Sequence, residues 1–201
     1  MPKVTEEYRT ARRDEIADAA LRAFRRKGFQ ATSMADIIEA SGLSAGAIYG
    51  HYAGKQQIVI AVAERILGQR SIELEHFASA ESIPSPAEVI RMMVTRVAGE
   101  FAGTRALLQV WAEAVVSPEI TELVDRVFAR VRAALVLYLG AWAAQNPHPT
   151  REHPEEWAQA IAPVLFGIGQ GYVVQSTLLV SFDADAYFAG VEVLFARPEG
   201  A

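Results

Sequence analysis

The 201-residue chain is 51% hydrophobic and 21% charged, carries a net charge of −5 and contains no cysteine. This length allows one large domain or two small ones, and the balance is that of an ordinary globular protein. The lack of cysteine excludes disulfide scaffolds, zinc fingers, thiolate metal sites and cysteine nucleophiles together.

Apolar residues recur at spacings of three and four almost throughout, and no segment alternates as a strand does, so the fold class is all-α. Thr5-Glu6-Glu7 starts a first helix that runs to Lys27, with Ile16, Ala17, Ala20, Leu21 and Phe24 on one face and Gly28 as a left-handed cap. A second helix follows Thr32-Ser33, where Ser33 and Asp36 have capping-box spacing, and it stops at Gly42. A third, short helix spans about Ser44 to His51. Gly54 interrupts, and a long helix follows from Lys55 to about Ala78, its inner stripe read as Ile58, Val62, Ile66, Gln69 and Ile72.

Capping signals divide the remainder. Ser85-Pro86-Ala87-Glu88 places Ser at the N-cap, Pro at the first turn and Glu at the third position of a helix reaching about Ala102. Gly103-Thr104 opens the next, which ends before Ser117-Pro118. Another then runs to about Gln145, and 146–149 is a loop. Pro154 begins an apolar helix to about Val180, and Asp183 caps a last one ending near Ala196. The chain divides near residue 53, giving an N-terminal unit of residues 1–53 and a body of 54–201.

Residues 1–58 hold nine Lys+Arg against seven Asp+Glu, and residues 59–201 hold ten against seventeen. A mildly basic module on an acidic body is compatible with nucleic acid, because only the contacting face must be positive. The polar start of the chain carries no apolar signal segment. The longest apolar run, Ala160 to Gly169, is about half of what a membrane helix needs. The expected location is the cytoplasm, with no membrane partner.

Chemistry concentrates in residues 32–55. Two short helices meet across Ser41-Gly42-Leu43-Ser44, where Gly42 allows a tight turn. Ile37, Leu43 and Ile48 can close a small core against the first helix, which is helix-turn-helix spacing. The second helix of such a pair enters the DNA major groove with its N-terminal residues at the base edges. Ser44, Ala45, Gly46 and Ala47 are small enough for close approach. Tyr49 and His51 can reach phosphates, and Lys55 sits at a helix N-terminus that attracts anions. Thr32 and Ser33 offer hydroxyls and amides. Tyr52 reads as core. Lys3, Arg9, Arg12 and Arg13 form a basic lead-in, with Arg12 and Arg13 read first as a solvated face.

The string Gly28-Phe29-x-Ala31-Thr32-Ser33, then Ile37-Ile38-x-x-Ser41-Gly42-Leu43-Ser44-x-Gly46-x-Ile48-Tyr49-x-His51-Tyr52-x-x-Lys55, resembles the DNA-binding domain of TetR-type repressors. The likeness covers about residues 10–60. Two departures are mild: Tyr52 stands where the family usually has Phe, and Ile38 where many such motifs carry a small residue. The resemblance implies an N-terminal three-helix DNA-binding domain followed by a larger helical domain for ligand binding and dimerisation. It implies a homodimer on a palindromic double-stranded operator, a small-molecule effector and no enzymatic activity. The dimer interface then falls on the last two helices, with Gly167, Gly171, Gln175 and Leu178 as candidates. Gly167 and Gly171 share a face that suits close approach either to a partner or within one subunit.

A pocket among the helices should be mostly apolar with few polar groups. Met92, Met93, Phe101, Trp111, Trp142 and Phe166 are candidate walls, with Gln109, Gln170 and Tyr172 as orienting groups. Residue by residue, each aromatic or Met reads first as ordinary core. Pro163 should kink its helix and make room for a ligand or shape the interface. The absence of Lys and Arg from this set favours a neutral lipophilic or aromatic ligand. Glu73-x-x-His76 has the spacing of half a di-iron site, but no second copy exists, since Gln145 and Thr150 stand where Glu would precede His148 and His153. No metal or cofactor is expected. The rival readings are a helix-turn-helix regulator without a ligand switch, one that activates, and a helical enzyme or sensor whose first three helices only pack.

Overall fold

The computed structural model describes residues 5–28, 30–100, 103–148 and 152–196. Among them nine helices follow in order: α1 (Glu6–Lys27), α2 (Met34–Ser41), α3 (Ala45–Tyr49), α4 (Lys55–Ala78), α5 (Pro86–Glu100), α6 (Thr104–Val116), α7 (Pro118–Gln145), α8 (Pro154–Leu178) and α9 (Ala184–Phe195). The expected starts hold because each rests on local chemistry. Thr5 accepts from the Tyr8 amide, Ser33 and Asp36 form a reciprocal capping box, and Asp183 accepts from two amides of α9. Ends are less exact. The third helix stops at Tyr49 rather than near His51, and α8 at Leu178 rather than Val180. The expected end near Ala102 lies outside the described residues. Gly28 closes α1 at φ 80° and ψ 159°, a positive φ but not the left-handed helical cap expected.

Two apolar clusters organise the packing. The first joins Ile16, Ala20 and Phe24 of α1 to Ile37, Ile48 and Tyr52, then continues through Ile58 and Val62 into Val97, Leu107, Val110, Leu123 and Val127. The change in helix length near residue 53 is therefore not a break in the core. The second lies in the body, around Leu135, Tyr138, Leu139, Trp142, Leu165, Phe188 and Val191. α7 packs along both α4 and α8 and forms the axis of the body.

The α4 stripe needs correction. Ile58, Val62 and Ile66 are buried as expected, but Gln69 is exposed and Ile72 is 47% exposed. Burial continues instead through Arg70, Ser71 and Leu74. Steps of four residues overshoot a helical turn, so the buried line slides around α4 as its neighbour changes from α1 to α7. The slide buries the Arg70 guanidinium, which pairs with Glu73 at 3.1 Å and Glu100 at 3.2 Å. Glu73 also pairs with Arg96 at 2.9 Å, so half of the supposed metal motif serves ion pairs.

The reading of the apolar runs also needs correction. By length and composition alone, α7 and α8 would pass as membrane spans. α7 is the central packing helix. In the most apolar stretch of α8, only 28% is buried within the protomer, which leaves an uncovered apolar face.

Candidate functional site

The helix-turn-helix is held by a chain of short-range hydrogen bonds. At the head of α2, Ser33 Oγ accepts from the Asp36 amide at 3.2 Å, and Asp36 Oδ2 accepts from the Ser33 amide at 2.8 Å. The Lys27 ammonium at the end of α1 also binds Asp36. Lys27 first, and the Ser33 donors next, hold the Asp36 carboxyl well below the usual carboxylate range. At the turn, Gly42 adopts φ 69° and ψ 8°, the left-handed region, and its amide donates to Ile38 and Glu39 carbonyls. Ser41 Oγ donates to the Ile38 carbonyl at 2.8 Å and accepts from the Leu43 amide at 3.1 Å. Ser44 then caps α3 by accepting from the Ala47 amide at 3.2 Å.

Beneath this frame Ile37 and Ile48 are fully buried, with Leu43 packed against them. Above it Ser44, Ala45 and Gly46 are exposed, Ala47 is half-buried and Tyr49 is 51% exposed. The small residues thus form an open first turn, and their larger neighbours anchor the helix from below. Tyr52 is core, as expected. Its hydroxyl donates to the Arg13 carbonyl at 3.2 Å, and the Arg13 guanidinium lies 4.5 Å from its ring centroid. Arg13 also donates to the His51 carbonyl at 3.3 Å, so it ties α1 to the end of the reading unit. Arg12 pairs with Glu15 and Tyr8 on the solvated face. Lys3 lies outside the described residues.

Two expected DNA contacts are placed differently. Thr32 is 1% exposed and donates to the Gly28 carbonyl at 2.7 Å, so its hydroxyl is a lock between α1 and α2 rather than an outward group. Its neighbour Ser33 is exposed, but its hydroxyl is engaged with Asp36, donating to Oδ2 at 2.8 Å and accepting from the amide at 3.2 Å. Lys55 is half-buried and donates to the Gln30 carbonyl at 3.2 Å. It lines a cleft with Gln30, Gln56, Val110 and Glu113, at the seam between the N-terminal unit and α6. Burial pushes the Lys55 ammonium down from its ordinary value, and the Glu113 carboxylate opposes that. His51 is half-buried.

The body contains a pocket with a mostly apolar lining. Its walls are α4 (Leu67), α5 (Ile90, Met93, Val94, Val97), α6 (Leu107, Trp111), α7 (Phe128, Val131, Leu135) and α8 (Phe166, Gly169, Gln170, Val173). Met93, Trp111, Phe166 and Gln170 were expected there. Gln170 lines the wall through its apolar atoms. Met92, Gln109, Trp142 and Tyr172 are not among the lining residues. Trp142 stacks with Trp157 and Phe195 in the second cluster, and Tyr172 packs against Phe182, Tyr187 and Phe188. Phe101 lies outside the described residues. Phe128 and Gly169 were missed. Gly169 faces α5 so closely that a Cβ would lie 3.0 Å from Ile90 Cδ1.

On the outer face of α8, Val164, Gly167, Val174, Gln175 and Leu178 are exposed. Gly171 departs from this set. A Cβ there would meet Tyr187 Oη at 3.0 Å, so its smallness serves a contact with α9 of the same chain. Tyr187 itself donates to the Ile168 carbonyl at 2.6 Å. α8 continues through Pro163, which is exposed.

Residues 16–62 match the family model described as bacterial regulatory proteins, tetR family. The chain is 35% identical over 82 residues to an uncharacterized HTH-type transcriptional regulator, YfiR of Bacillus subtilis, covering 41% of this chain and 40% of that one. It spans 40% to 47% of the length of such relatives. In fold it is similar to a Saccharomonospora viridis transcriptional regulator in complex with choline (TM-score 0.67, 20% identity, covering 92% of this chain and 95% of that one). It is also similar to the regulator FadR of Bacillus subtilis in complex with stearoyl-CoA (TM-score 0.64, 17% identity, 91% and 97%). These relatives are named as transcriptional regulators. With its helix-turn-helix frame and this match, the segment 16–62 is the tetR-family segment of bacterial regulatory proteins.

Proposed function

We propose that this protein is a ligand-responsive transcriptional repressor that binds a palindromic DNA operator as a homodimer and releases it when a small lipophilic molecule enters the body. The observation that carries the reading is the first turn of α3, where Ser44, Ala45 and Gly46 lie open on a hydrogen-bonded frame. Such a turn can approach base edges in the major groove, while Tyr49 and His51 reach sideways to phosphates. Ser33 and the amides around it sit at the N-terminus of α2, where phosphate is favoured.

Two copies place their recognition helices about 34–36 Å apart, one turn of duplex. The exposed stripe Val164, Gly167, Val174 and Leu178 supports a partner across α8. Its spacings of three, seven and four keep one helix face, and Val193 and Leu194 add exposed apolar area on α9. A patch of this kind on a monomer marks an interaction surface.

The switch runs through α6. Leu107 and Trp111 line the pocket, and Glu113, half a turn further on, shares the seam cleft with Lys55. A ligand that shifts α6 alters the surroundings of the first residue of α4, and with it the spacing of the two reading units. By linkage, DNA weakens ligand binding by the same factor. The small pocket, about 80 Å³, favours a second reading, a regulator without a ligand switch or one that activates. Expression of adjacent genes in a deletion strain separates these.

The primary test is selection of bound duplexes from a random pool at moderate salt, using protein unfolded and refolded to strip small molecules. A palindromic motif with half-sites one turn apart is expected. Recovery of no motif at moderate and at low salt contradicts the reading.

A further inference from the structure

The effector pocket carries information about its occupant. Its wall is built from thirteen apolar or glycine residues and Gln170, and exposes no nitrogen or oxygen. No Lys, Arg, Asp, Glu or His lines it. An ion entering such a site loses its hydration and gains no counter-charge, and a hydroxyl or amide loses its hydrogen bonds without replacement. A dry apolar cavity lined by Leu, Ile and Phe takes up benzene or xenon instead.

The aromatic side chains do not form an open cage for a cation. Trp111 and Phe128 meet edge to face at 6.3 Å and 83°, and Phe128 and Phe166 at 4.7 Å and 69°. The rings cover one another, whereas recognition of a quaternary ammonium needs ring faces turned toward the cation. Size limits the occupant as well. The free volume of about 80 Å³ is below the roughly 150 Å³ of a cavity that holds benzene. A long acyl chain far exceeds it. Met93 is an adaptable part of the wall, because its unbranched thioether can change rotamer to admit a compact group. Opposite, Gly169 lets α5 and α8 meet, with Ile90 and Val94 where a side chain would stand.

We propose that this pocket takes an uncharged, compact hydrocarbon, of the size of a single ring or a short branched alkyl group, with no hydrogen-bonding group at the buried end. The proposal rests on the reading of this pocket as the effector site and narrows it to one ligand class. It separates this protein from its structural neighbours bound to choline and stearoyl-CoA.

Benzene is the probe, with benzoate and choline as charged comparators, on the full-length protein by calorimetry and thermal shift. Benzene is expected to bind with one site per protomer and raise Tm saturably. Phenol is expected to bind about tenfold to a hundredfold more weakly than its apolar surface predicts, and benzoate and choline to give no saturable shift. Met93→Trp fills the space and is expected to abolish the benzene response while circular dichroism stays helical. Should that variant fail to fold, Val97→Phe narrows the same space and is expected to weaken benzene at least about tenfold. Benzoate or choline binding as tightly as benzene overturns the proposal. So does a benzene response unchanged in the filled variants, or no response to benzene at all. Benzene binding that leaves a selected operator fully bound sinks the effector reading but supports the ligand class. Operator release by charged molecules alone does the reverse.

Discussion

The α2–α3 turn and the pocket between α5, α6 and α8 are both built around small or apolar residues, and they are held together in opposite ways. The turn is a sequence of local hydrogen bonds, each spanning two to four residues, around Ser33, Asp36, Ser41, Gly42 and Ser44. The pocket has no polar frame. Its lining residues come from five helices and meet only when the whole body is assembled. A site built from local bonds keeps its shape through a shift of the body, as a reading head must. A site built from packing changes shape when something enters it, as a sensor must. The difference teaches that a locally bonded turn and a pocket made by packing are separated along the chain, with α4 and α6 reaching from the pocket wall toward the N-terminal unit.

The sharpest break in this comparison comes from the partner surface proposed on α8. Replacing Val174 and Leu178 together with Glu puts two charges on the exposed α8 stripe. The expected result is a folded monomer by analytical ultracentrifugation, with operator affinity lower by about a hundredfold or more as the second half-site is lost. A dimer that persists with unchanged affinity would move the interface elsewhere.

Next in size is the turn itself. Gly42→Val forces a β-branched residue into φ 69° and should cost about 1–2 kcal/mol of stability in denaturant titrations. DNA binding should fall with it, while benzene binding in the distant pocket is unaffected. Equal loss at both sites would show that the two regions are not mechanically separate.

The Asp36 cap gives a smaller, pH-dependent signature. A carboxyl whose folded pKa is depressed contributes stability above its unfolded value, here 3.8, and loses it as pH falls. The unfolding free energy should therefore decline below about pH 5, and Asp36→Asn should flatten that slope. An identical slope in the variant would falsify this assignment. Smallest is Tyr52→Phe, which keeps the ring under Arg13 and removes only the bond to the Arg13 carbonyl. A loss of about 0.5–1.5 kcal/mol is expected, with operator preference unchanged; a changed preference would give the hydroxyl a part in orienting α3.

The same contrast explains what could be read from residues alone. Helix starts and the whole turn were legible, because Ser33, Gly42 and Ser44 act on amides within a few positions of themselves. Thr32 was not, since its inward turn depends on the carbonyls of Ala23 in α1 and of Gly28, which closes it. In the body, Gly167, Gly169 and Gly171 look alike in sequence. One is open to solvent, one meets α5 and one meets Tyr187, and only the neighbouring helices decide which. Trp111 and Trp142 were equally good pocket candidates by composition. The first faces the pocket, and the second is enclosed by Trp157 and Phe195. Lys55 was expected to reach for phosphate, and its place in the seam beside Glu113 depends on where α6 lies.

In the proposed switch, pocket occupancy and operator binding oppose one another through a finite coupling. The most direct measurement is a thermodynamic square: operator affinity with and without saturating benzene, and benzene affinity with and without operator. Both affinities are expected to weaken, and by the same factor. Saturable benzene binding that leaves operator affinity unchanged would contradict it.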